Sequence, residues 1–106
     1  MVRALDDGML DMGAEQRLKV PPHSIEAEQS LIGGLMLDAL AWDKVADVII
    51  SDDFYRQDHR LAFSAIQRLI EAGSPCDIVT VSEHLDGRGE LEKVGGLEYL
   101  ATLANE

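Results

Sequence analysis

From Ser24 to the end of the chain, apolar residues return at three- and four-residue intervals, the period of a helix with one buried face. Ser24 is placed as an N-cap for a first predicted helix, Ile25 to Leu37, in which Ala27, Leu31 and Leu35 form one row and Ile32 with Met36 the next. Gly33-Gly34 interrupts it at about 1 kcal/mol per glycine relative to alanine, which implies either a backbone crossing close by or a kink. Trp42, Val45, Ala46 and Ile49 fall at i, i+3, i+4 and i+7 and predict a second helix, closed by Ser51-Asp52-Asp53. A third, from about Asp58 to Ala72, carries Leu61, Ala62, Ala65, Ile66, Leu69 and Ile70 on one face and stops at Gly73, two residues before Pro75. Ile78-Val79-Thr80-Val81 suits a strand by β-branching. The helical spacing of Ile78, Val81 and Leu85, a capping Asp77 and the lack of a pairing strand favour a helix. Gly87-Arg88-Gly89 reads as a turn, Glu90 to Val94 as at most a helical turn, and Gly95-Gly96 precedes a last helix with Leu97, Leu100, Ala101 and Ala104 on one face. The fold class is therefore all-α: a small multi-helix, bundle-like domain.

Residues 1–19 have scattered Leu and Met without a sustained period and read as a flexible N-terminal tail, bounded by Pro21-Pro22. Residues 20–106 form the helical domain. At 106 residues and 46% apolar content, the chain holds one domain with a modest core. Acids outnumber bases 20 to 9, a net charge of −11, which argues against a free-standing nucleic-acid grip or an anionic membrane surface and suits a basic protein partner. The single Cys76 excludes an internal disulfide. The longest nearly apolar stretch, Leu31 to Leu37, is too short for a membrane span, and the start lacks a secretory signal, so the cytoplasm is the expected compartment.

Catalytic, cofactor-binding and metal-binding residues are all expected to be absent. There is no glycine-rich phosphate loop, and His23, His59 and His84 have no metal-ligand spacing. His59 is expected at the surface or as a capping residue, and Asp52-Asp53 as capping residues rather than an acid–base pair. Arg56, Arg60 and Arg68 form a small basic strip, read either as a solvated face pairing with nearby acids or as a partner contact.

Four separated motifs carry a resemblance. Val20-Pro21-Pro22-His23-Ser24-Ile25-Glu26-Ala27-Glu28-Gln29-Ser30, continuing through Gly33-Gly34-Leu35-Met36-Leu37-Asp38, closely resembles the opening of the DnaB-type bacterial replicative helicases. Asp53-Phe54-Tyr55 with His59-Arg60, Gly73-Ser74-Pro75-Cys76-Asp77 and Gly95-Gly96-Leu97-Glu98-Tyr99-Leu100 agree in order and spacing. The resemblance implies the non-catalytic, all-helical N-terminal collar of a ring-shaped hexamer, built as a trimer of dimers. Such a collar docks primase, takes part in loading by a helicase loader and meets DNA only through the parent ring. ATP, magnesium and the helicase activity would belong to a motor domain absent from this chain, which needs no cofactor of its own and is not itself an enzyme. The resemblance also implies a helical hairpin beyond Asn105-Glu106, so the domain is expected to be truncated before it. Tyr99 aligns with a family position associated with primase communication, with core packing as the alternative role. With Arg56 and Arg60 it completes the candidate partner-binding residues. The competing reading is a stand-alone acidic helical adaptor for a basic protein, which an encoded length near 106 residues would favour over several hundred.

Overall fold

The computed structural model describes residues 24–105, and the tail predicted at 1–19 lies outside them. Five α-helices follow one another: α1 Ile25–Leu37, α2 Trp42–Val45, α3 Gln57–Glu71, α4 Ile78–Gly87 and α5 Gly96–Ala104. Among the described residues there is no strand, so the fold is all-α as predicted. Short 3-10 turns at Ala39–Ala41, Ser51–Asp53 and Glu92–Val94 link them.

Local chemistry accounts for the boundaries. The Ser24 hydroxyl accepts from the Ala27 N–H at 3.2 Å and caps α1. Asp77 and Thr80 cap α4 reciprocally: Asp77 Oδ1 accepts from the Thr80 N–H at 2.9 Å, and Thr80 Oγ1 accepts from the Asp77 N–H at 2.8 Å. With Val81 and Leu85 buried one turn apart on the same face, these caps make the β-branched run helical rather than extended. The helix predicted from Trp42 to Ile49 ends sooner, at Val45, and a 3-10 turn at Ala39–Ala41 precedes it. Asp38 Oδ1 accepts from the Leu40 N–H at 3.1 Å and starts the 3-10 turn that runs into α2. At the other end the Ile50 N–H donates to Asp53 Oδ2 at 2.9 Å from an extended backbone, so the helix does not propagate through it. Trp42 is buried as expected, and Val45, Ala46 and Ile49 pack against the core half-covered.

α1 packs on α3 and α5, and α3 on α4, around Ile32, Leu35, Met36, Phe54, Phe63, Ile66, Val81, Leu85, Leu100 and Leu103. Phe63 is central: its ring centroid lies 5.3 Å from that of Trp42 and 4.9 Å from that of Phe54. Two faces are rotated from their predicted positions. On α3 the buried residues are His59, Ala62, Phe63, Ala65 and Ile66, with Leu61, Leu69 and Ile70 at the margin. On α5 they are Leu100 and Leu103, while Leu97 stands exposed. The close crossing implied by the glycine pair occurs at Gly33 alone. A Cβ there would sit 2.0 Å from the Leu103 carbonyl oxygen, whereas one on Gly34 would meet nothing within 4 Å.

Candidate functional site

The start of α3 and the first turn of α5 face each other across an open cleft of about 350 Å³ lined by Arg56, Asp58, Val94, Gly95, Glu98, Tyr99 and Thr102. Arg56 precedes α3 as its N-cap, and Asp58 lies in its first turn, so the acid is well placed near the helix N-terminus. The Arg56 guanidinium donates to both oxygens of Asp58, at 3.1 Å from Nε and through a shorter contact from Nη2. The guanidinium carbon also lies 5.6 Å from the centre of the Tyr99 ring. The Asp58 hydrogen bond holds the Arg56 pKa above its ordinary value, with weaker support from the charges of Asp58, Tyr99 and Glu28 against the opposing effect of burial. On the α5 side the chain enters the helix through Gly95, whose φ of +99° disfavours any side chain. A Cβ at Gly95 would meet the Tyr99 Cβ at 2.8 Å, so the glycine also makes room for the tyrosine.

Of the three predicted partner-binding residues, the fold brings Arg56 and Tyr99 together and leaves Arg60 outside the cleft. Arg60 is exposed but not idle. Its Nε donates to the Phe54 carbonyl at 2.8 Å and its Nη2 to the Tyr55 carbonyl at 3.0 Å, which pins the connection leading into α3. Within the basic strip, pairing with a nearby acid thus holds for Arg56 with Asp58, whereas Arg60 binds backbone carbonyls.

Behind Tyr99 lies a polar core that the sequence reading missed. His59 is fully buried, not at the surface, and so is Glu28 of α1. His59 Nδ1 lies 2.6 Å from Glu28 Oε1 and Nε2 lies 2.8 Å from the Tyr99 hydroxyl. Glu28 Oε2 accepts from the Tyr55 N–H at 2.5 Å, and Gln29 Nε2 donates to the Tyr99 hydroxyl at 3.1 Å. Every buried polar atom of this chain of contacts thus has a partner, as burial requires. Its signal was present in the sequence: His59, Ala62, Phe63 and Ile66 are spaced i, i+3, i+4, i+7, and Glu28 precedes Ile32, Leu35 and Met36 at i+4, i+7 and i+8. Polar residues on otherwise apolar rows mark paired burial.

Among the described residues no group of three or more His, Cys, Asp or Glu side chains is placed to hold a metal ion, and no helix is long and apolar enough to cross a membrane. The cleft's resources are hydrogen bonds and charge on a partly aromatic wall, which suit the recognition of a protein surface.

Comparison with known proteins gives the geometry a family. Residues 20–106 match the DnaB-like helicase N terminal domain family. The replicative DNA helicase DnaB of Buchnera aphidicola subsp. Acyrthosiphon pisum is 52% identical over 88 residues, which cover 83% of this chain and 19% of that protein. The DnaB of Geobacillus stearothermophilus is 41% identical over 87 residues, covering 82% and 19%. The crystal structure of the N-terminal domain of DnaB helicase from Mycobacterium tuberculosis superposes with a TM-score of 0.77 at 42% identity, covering 81% of this chain and 61% of that one. The chain thus spans about a fifth of the length of the relatives it matches. With the family's motifs, its helical fold and its residues in register over that length, this chain belongs to the DnaB-like helicase N-terminal domain family.

Proposed function

We propose that this chain acts as the non-motor collar domain of a hexameric replicative helicase in the bacterial cytoplasm and that its contacts are with proteins. Primase is the docking partner, copies of the same domain are its neighbours in the ring, and a helicase loader acts on the assembly. DNA is met only through that ring. The chain carries no cofactor of its own, and ATP with magnesium serves the motor part of the parent. The observation that carries this reading is the 52% identity to a replicative DnaB over 88 residues, which make up only 19% of that protein.

The charge balance supports it. Residues 20–106 hold 16 acidic against 6 basic side chains, a net of −10, so phosphate contacts are disfavoured and a basic protein surface is favoured. Arg56 and Tyr99 are the contact residues within the cleft. Arg60 supports them by fixing the Phe54–Arg56 connection.

Calorimetric titration of the 106-residue chain against the cognate primase C-terminal domain tests the proposal. Weak, salt-sensitive binding is expected, tightened in a longer chain that adds the following helical hairpin, because a docking surface shared by several elements gains from simultaneous contacts. No binding by either chain at any practical concentration would overturn primase docking. Equal binding by both would place the whole surface within residues 20–106. The same chain should show no ATPase activity and only weak, salt-sensitive binding to single-stranded DNA.

A further inference from the structure

The buried contacts behind Tyr99 have a direction as well as a position. The Tyr55 N–H can only donate, so Glu28 Oε2 is an acceptor. As a carboxylate Glu28 offers only acceptors, so at Oε1 it is His59 Nδ1 that donates. A neutral ring with its proton on Nδ1 keeps a lone pair at Nε2, into which the Tyr99 O–H would donate over 2.8 Å, whereas a ring carrying both protons would donate to Tyr99 instead. The Asp58 carboxylate does not compete for that position: its nearest oxygen is 3.9 Å from Nε2, and it is occupied by the His59 N–H at 2.7 Å and by Arg56. Gln29 supplies a further N–H to the Tyr99 oxygen. With the neutral ring the tyrosine proton is thus turned inward. Of the two lone pairs on the hydroxyl, one is then taken by Gln29 and the other has no partner among the described residues.

We propose that His59 is neutral with its proton on Nδ1, and that Glu28 and His59 are thereby positioning residues which fix Tyr99 as a hydrogen-bond acceptor toward the cleft it lines, so that the cleft receives a cationic N–H donor, a lysine or arginine side chain of the docking protein. The inference rests on the protein-docking reading above and names the partner chemistry at that site. The rest of the cleft agrees in sign. Glu98 lies beside Tyr99 and has no ion-pair partner among the described residues, whereas Arg56, the one cation of the cleft, is engaged by Asp58. Glu28 is fully buried and reaches no partner directly, so it acts on the cleft only through His59 and Tyr99.

Glu28→Gln reverses the direction. The glutamine amide keeps its carbonyl oxygen on the Tyr55 N–H and turns its NH2 to His59 Nδ1. The imidazole proton then sits on Nε2 and donates to Tyr99, whose own proton must point outward. The Tyr99 hydroxyl changes from acceptor to donor at the cleft, with its ring in place.

Two measurements on the full 106-residue chain test this. Long-range proton–nitrogen spectra of 15N-histidine protein at neutral pH should place the His59 proton on Nδ1 in the wild type and in Tyr99→Phe, and on Nε2 in Glu28→Gln. A wild-type proton on Nε2, alone or together with one on Nδ1, or one that moves there in Tyr99→Phe, overturns the relay even if Glu28→Gln fails to fold. Calorimetry with the cognate primase C-terminal domain should then show about fivefold weaker binding for Glu28→Gln and for Tyr99→Phe, the loss of one hydrogen bond. The double variant should be no weaker than either single one, because Glu28 works through the Tyr99 hydroxyl. Additive losses, or a reversed tautomer with unchanged affinity, overturn the positioning role and leave primase docking intact. A wild-type chain that binds no primase removes the docking reading and the cationic-donor assignment with it, while the spectra still decide the relay.

Discussion

Two adjacent glycines of α1 should respond to the same substitution with opposite sign. A methyl group at Gly33 would stand 2.0 Å from the Leu103 carbonyl oxygen and 2.8 Å from its carbon, both backbone atoms that no rotamer change can remove. Restoring ordinary contact at 3.4 Å or beyond requires α5 to retreat by about 1 Å or more, and Leu100 and Leu103 leave their seats against α1 with it. Such overpacking costs about 3 kcal/mol, the upper part of its usual range, because two helices separate rather than one side chain shifting. Alanine returns about 1 kcal/mol through its better helix propensity, which leaves Gly33→Ala about 2 kcal/mol less stable. For a domain of this size that is roughly 10 °C in melting temperature. At Gly34 the added methyl meets nothing within 4 Å, so only the propensity gain of about 0.5–1 kcal/mol remains and the protein should melt a few degrees higher. Circular dichroism melts of the two variants beside the wild type measure this directly, with urea titration giving the free energies. A Gly33→Ala protein that melts at or above the wild type would refute the close α1–α5 crossing.

Trp42→Ala should cost about 3–5 kcal/mol, since the ring is buried against Phe63, and a urea midpoint close to the wild type would refute that packing. Cys76 is partly buried, and burial, followed by the charge of Asp77, pushes its pKa from 9.0 up to about 11. Ellman's reagent at pH 8 should therefore react slowly with the folded chain and rapidly after denaturation, and equal rates in the two states would contradict this. The same shift sets a direction for stability. Between pH 9 and 11 the unfolded chain releases the thiol proton while the folded chain keeps it, so the contribution present below pH 9 is lost as pH rises toward 11. Alkaline melts of the wild type and Cys76→Ser over that window, with a smaller decline in the variant, check the sign.

Most of the fold was legible because the helices carry local marks of their ends. Ser24 and Asp77 cap by side chains that reach three residues ahead, and Gly73 with Pro75 closes α3, so spacing alone located α1, α3 and α4 closely. α2 is shorter than its apolar stripe because its far limit depends on Asp53 choosing the Ile50 N–H, just as the turn before it depends on Asp38 choosing the Leu40 N–H, a competition that periodicity does not reveal. Burial at the site was harder to read. His59 and Glu28 obeyed the apolar spacing but were judged by polarity, and their pairing spans 31 residues, so neither residue announces the other. Tyr99 was found through family resemblance and Arg56 through its basic strip. Their meeting over one cleft required the packing of α3 against the turn that leads into α5.

The crossing of α1 and α5 at Gly33 and Leu103 also sets an order of events in time. The contact joins residues 70 positions apart, and closing a loop of that length costs roughly 4 kcal/mol of chain entropy before anything is gained. Helices α3 and α4, neighbours in sequence, can dock while that loop is still open. During synthesis the part of α1 around Gly33 waits uncovered until α5 has cleared the ribosome. Seating α5 is then the closing step, formed late in folding and lost early in unfolding. Substitutions at Gly33 should accordingly speed unfolding far more than they slow folding.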